Sequence, residues 1–97
     1  MDSVDVGKIV TIEGNDFVVL DTVIKENKKY VFLKGVDENE ELLDSQIIAR
    51  VVIDDMGDFA LEDIDDRFLL ETLRNEFANR LREEYMKRYS FFCAIIN

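Results

Sequence analysis

The chain contains no histidine, no proline and no tryptophan, and only one cysteine and four glycines among its 97 residues. Each shortage excludes something. Without histidine, no side chain has an ordinary pKa near neutrality, and neither a Ser-His nor a Cys-His nucleophilic pair can be assembled. Cys93 has no disulfide partner within the chain, and a lone thiol denies a cysteine-based zinc site. Gly7, Gly14, Gly35 and Gly57 stand apart, so there is neither a phosphate-cradling loop nor a dinucleotide fingerprint. Paired carboxylates could act alone, as in glycosidases, but a domain this small offers little volume for a cleft. No catalytic residue, no cofactor and no enzymatic activity are expected.

Long apolar runs are also missing, and none approaches the ~20 residues that span a bilayer. The opening MDSVDVGK has neither the basic nor the apolar region of a signal peptide. A cytoplasmic protein with no membrane partner is expected.

Positive charge is scarce, and negative charge takes its place. There are 22 acids against 12 bases, a formal charge of −10. The imbalance is local. Residues 37–66 hold twelve acids and a single base, Arg50, whereas residues 67–97 hold four acids and six bases. Direct binding of nucleic acid is not expected, because that affinity rests on basic groups replacing counterions. An acidic surface is suited to a protein partner with a basic surface.

Along the chain, period-two segments come first. Residues 8–13, 17–24, 30–33, 46–53 and 59–64 read as strands, and the chain between them is punctuated by Gly14-Asn15, Glu26-Asn27-Lys28 and Asp54-Asp55-Met56-Gly57. Gly35 to Ser45 reads as a solvated loop. Asp54 to Asp58 has the acidity of a calcium loop, but its flanks read as strands and the ligand alternation fails, so no metal site is expected. From Arg67 the period changes. Leu70, Leu73, Phe77, Leu81 and Tyr85 form a helical stripe to about Tyr89, with Asp65 or Asp63 at the N-cap position. Arg67 with Glu71, Glu76 with Arg80, and Glu84 with Arg88 have the spacing of intrahelical ion pairs.

The expectation is one α+β domain over residues 1–97: an antiparallel β-meander of about five strands (8–64), a C-terminal amphipathic helix (65–89) on one face, and an apolar tail (90–97). Leu73, Phe77 and Leu81 should meet Val19, Val31 and Val51 or their neighbours. Phe91, Phe92, Ile95 and Ile96 are too apolar for a free end. That tail closes a sheet edge, meets another chain, as in a homodimer, or has no role.

The order Phe17-Val-Val-Leu-Asp-Thr, Lys29-Tyr-Val-Phe-Leu, an acid-rich loop, Ile48-Ala-Arg-Val-Val, and Leu61-Glu-Asp-Ile-Asp-Asp entering a helix resembles the YrzB-like small acidic bacterial proteins, domain-of-unknown-function family 1292. The similarity covers residues 8–85, and the long helix and apolar tail depart from that pattern. The resemblance implies the meander-plus-helix architecture and supplies no activity. In character the chain is also similar to small acidic phage-encoded inhibitors, anti-CRISPR proteins among them. The functional expectation is therefore a non-enzymatic binding module, an inhibitor that mimics nucleic acid in the basic cleft of a nucleic-acid-handling protein. Its expected partner-binding residues are Asp37, Glu38, Glu40, Glu41, Asp44, Asp54, Asp55 and Asp58. The alternative is an accessory protein whose acidity serves solubility and which self-associates through a sheet edge or its tail.

Overall fold

A computed structural model of the chain describes the backbone of residues 4–96 and the side chains of residues 4–83. The period-two segments become five strands, β1 (Ile9–Ile12), β2 (Asn15–Lys25), β3 (Lys28–Val36), β4 (Leu42–Ile53) and β5 (Phe59–Asp63). One helix, α1 (Arg67–Ile96), follows. Every strand pairs antiparallel with its neighbour in sequence, in the order β1-β2-β3-β4-β5. The protein is an α+β meander with a C-terminal helix. The expected packing of the apolar tail lies outside the described side chains.

Two kinds of turn make the hairpins. Glu13-Gly14 and Glu26-Asn27 are two-residue loops whose residues all have positive φ, between 51° and 82°. That is the type I′ geometry whose twist matches the flanking strands. The first turn is thus one residue earlier than the expected Gly14-Asn15, and Asn15 already pairs with Ile12. The other two hairpins share a different design. Asp37 and Asp54 each head a three-residue loop whose third member is left-handed, Glu40 at φ 63° and Gly57 at φ 83°. In each loop the Asp backbone N–H donates to the carbonyl four residues on, at 3.0 Å and 2.8 Å. β4 starts at Leu42, so the expected loop over 35–45 shrinks to a tight turn. Asp44 stands on a strand.

The sheet has an apolar core on each face. On one, Val4, Val10, Phe17, Val19, Val31, Leu33 and Ala49 are buried, with Ile12, Ile47, Val51 and Leu61 packed against them. On the other, Tyr30 and Phe32 are buried with Leu73 and Phe77 of α1. The Phe32 and Phe77 rings stack with centroids 5.7 Å apart. The helix residues therefore meet neighbours of the expected valines, one position along the strands, and Val19, Val31 and Val51 belong to the opposite face. β2 adds to the helix side through a bulge at Leu20. The bulge shifts the β2–β3 register between Val19 and Asp21. Leu20 and Val23 then join the helix-side cluster, and Asp21 pairs with Phe32.

Asp66, not Asp65 or Asp63, caps α1: its carboxylate accepts the Leu69 N–H at 3.1 Å. The helix cations and anions reach further than intrahelical spacing suggested. Arg80 makes a two-pronged contact with Asp21, at 2.7 and 3.1 Å, and leaves Glu76 to Lys25 at 2.9 Å. Glu71 turns to Arg74 at 2.6 Å and away from Arg67. Contacts across to the sheet win because Asp21, placed on the helix side by the bulge, offers Arg80 two acceptors in the fork geometry that suits a guanidinium. The hydrogen bond to Asp21, then its charge, holds the Arg80 guanidinium above its usual pKa. The expected Glu84–Arg88 pair lies outside the described side chains.

Candidate functional site

Successive turns of an antiparallel meander alternate between the two ends of the sheet. The turns at 13–14 and 37–41 therefore share one end, and those at 26–27 and 54–58 share the other. This divides the eight expected site residues. Asp37, Glu38, Glu40 and Glu41 lie at the first end, with Asp44 just inside β4. Asp54, Asp55 and Asp58 lie at the second. The twelve residues of β4 separate the groups by about 36 Å of extended strand. The structure does not bring all eight together.

It does bring others to the first end. Glu13 sits in the β1–β2 turn, and Asp16 follows it, accepting a hydrogen bond from the Thr11 hydroxyl at 2.6 Å. Neither 13–16 nor 37–41 contains a lysine or arginine. The second end is mixed, because the β2–β3 hairpin contributes Lys25, Lys28 and Lys29. Lys25 pairs with Glu76 at 2.9 Å, and Lys29 with Asp5 at 3.0 Å. Sequence reasoning missed Glu13 and Asp16, although the alternation of turns would have found them.

Two of the eight acids hold their own turns. The Asp37 carboxylate accepts the N–H groups of Asn39 at 2.8 Å and Glu41 at 2.9 Å. Asp54 accepts those of Met56 at 2.9 Å and Asp58 at 3.0 Å. These bonds satisfy backbone donors that the turn leaves unpaired, as Asp does at the head of such loops. Glu38, Glu40, Glu41, Asp44, Asp55 and Asp58 are exposed and make no ion pair among the described residues. Arg50, the one base between 37 and 66, is engaged by Glu62 across the β4–β5 ladder. The acidic surface has no internal neutralisation to undo.

Two concavities complete the surface. A cleft of about 250 Å³ lies between the outer strands, lined by Val10, Ile12, Ile47, Ala49, Leu61 and Asp63. A wider groove of about 720 Å³ runs beside α1, with Phe32, Ile48, Ile64, Leu70 and Arg74 on its walls. Among the described residues no group of three or more His, Cys, Asp or Glu is placed to hold a metal ion. Among them, no helix is long and apolar enough to cross a membrane. No family model, no curated protein and no solved structure matches the chain.

Proposed function

We propose that the protein is a non-enzymatic binding module whose acidic end docks in the basic cleft of a nucleic-acid-handling protein, in place of a phosphate backbone, and inhibits it. One observation carries this reading: two turns at one end of the sheet, with the start of β2, hold Glu13, Asp16, Asp37, Glu38, Glu40 and Glu41 without a base. Tight turns fix the backbone that carries these carboxylates, and Asp37 and Asp16 are also held by their own hydrogen bonds. Such a surface gains affinity for Lys- and Arg-rich clefts and accelerates association by steering.

The triple variant Glu38→Lys, Glu40→Lys, Glu41→Lys tests it. Exposed loop charges add little stability, so the fold should persist. Capture of a basic partner from lysate, identified by mass spectrometry, should fail for the variant and succeed for the parent. Salt supplies a second, opposite pair of readouts. Raising it should weaken the complex steeply, because the attraction is screened. The same salt should raise the melting temperature of the free protein by screening its self-repulsion. Equal partner affinity in parent and triple variant would end the proposal.

A further inference from the structure

We infer that the outer edge of β5 is a docking strand for an extended, basic segment of a partner protein, which adds to the sheet as a sixth strand. This surface is separate from the acidic end and does not depend on the role proposed for it. Among the described residues β5 pairs with β4 alone, and the cleft separates its other edge from β1. The phase of its backbone groups follows from the turn. Asp54 N–H donates to the Asp58 carbonyl at 2.8 Å. Hydrogen-bonded and non-hydrogen-bonded pairs alternate along an antiparallel ladder. Given the register Val52↔Ala60 and Arg50↔Glu62, Ala60 and Glu62 turn their N–H and C=O groups to β4. Phe59, Leu61 and Asp63 turn theirs outward.

The side chains of those three residues share the face that carries the first core. Leu61 and Asp63 line the 250 Å³ cleft, whose far wall is β1. The cleft is smaller than the ~300–1,000 Å³ usual for small-molecule pockets. It suits alternate side chains of an added strand, which would cover the half-buried Ile12, Ile47 and Leu61. Two exposed apolar groups, Ile53 and Phe59, continue this surface toward the turn.

Charge selects the occupant. The β5 hairpin and its exit carry Asp54, Asp55, Asp58, Glu62, Asp63, Asp65 and Asp66, and the one base on β4 and β5, Arg50, is already paired with Glu62. A second copy would bring two acid-rich hairpins side by side, and their like charges repel. Charged residues on an edge guard it against its own kind in this way. A basic strand is not repelled. In an antiparallel arrangement, the residues opposite Asp63 and Glu62 would be Lys or Arg, and those opposite Leu61 and Phe59 apolar. The partner chemistry is thus basic-basic-apolar-any-apolar in an extended segment.

The test uses the full chain and a synthetic peptide, Lys-Lys-Val-Thr-Val flanked by threonines, followed by NMR with amide exchange. Saturable binding should slow exchange at Phe59, Leu61 and Asp63, and leave Ala60 and Glu62 unchanged because β4 already holds them. Replacing Lys-Lys by Glu-Glu, or Asp63 by Lys, should weaken binding at least about tenfold. Phe59→Pro removes one outward donor at the first residue of a strand, where proline is tolerated. It should bind more weakly than Phe59→Ala, which loses the same ring and keeps the N–H. Absence of binding, or perturbation without protection of the three amides, would overturn the inference. So would concentration-dependent protection without peptide, which means a second copy, or protection lost on truncation after Tyr89, which means the chain's own end. Peptide binding abolished by the Glu38, Glu40, Glu41 reversal would move the contact to the acidic end and leave the function proposed above standing.

Discussion

Asp37 and Asp54 add charge to their turns and also hold them. Each carboxylate accepts two backbone N–H groups of its own turn. Asn at either position keeps an acceptor and removes the charge. Asp37→Asn should therefore retain the melting temperature, while Asp37→Ala loses up to ~1 kcal/mol. Any fall in partner affinity for the Asn variant then reports charge alone. The two turns also differ at their third position, Gly57 in one and Glu40 in the other, both left-handed. A side chain pays for that conformation, and glycine does not. Glu40→Gly should stabilise by roughly 0.5–1 kcal/mol, and Gly57→Ala should destabilise by about 1 kcal/mol. A Cβ at Gly57 meets nothing within 4 Å, so the second value measures backbone strain by itself. Chemical denaturation of the two variants checks the pair.

Among the elements, α1 and β3 carry the interior. Tyr30, Val31, Phe32 and Leu33 are consecutive and all buried, because β3 has a core on both sides. Phe77→Ala removes a ring that stacks on Phe32 and should cost ~3–5 kcal/mol. A loss under about 0.5 kcal/mol, the size of a surface change, would show that this helix face is not held to the sheet. Asp21→Asn should cost less, ~1 kcal/mol or below, since Arg80 is half exposed and solvent screens the pair. Arg80's raised pKa means that its part of this contribution is complete below its ordinary value and is lost only as pH rises through the higher folded one. Stability from this arginine should be flat across the neutral range. The strands and the helix were legible in the sequence because their periods differ and turn residues stand between them. The face of β3 that meets the helix was not, since four successive apolar residues have no preferred side. The bulge at Leu20 leaves no signal in Phe17-Val-Val-Leu-Asp, and Leu42 to Ser45 hid a strand behind polar residues with no alternation. The exposure of the acids was readable. Their division between two ends followed from the order of the turns, and treating residues 37–66 as one patch ignored the length of β4.

For the whole molecule, charge and topology have separate consequences. The proposal that the acidic end meets a basic partner is tested by the opposed effect of salt on binding and on melting. The topology governs how the chain reaches its fold. Because every strand pairs with the one made just before it, no strand waits for a distant partner, and each loop closed is short. Local pairing of this kind is associated with fast folding. The absence of proline removes the slow isomerisation step that delays many proteins by tens of seconds. Stopped-flow refolding should accordingly finish without a phase on that timescale, and a slow phase of substantial amplitude would contradict the argument. During synthesis, each hairpin can close as soon as its second strand is clear of the ribosome. Phe32 then stands ready on β3 before Phe77 exists to cover it.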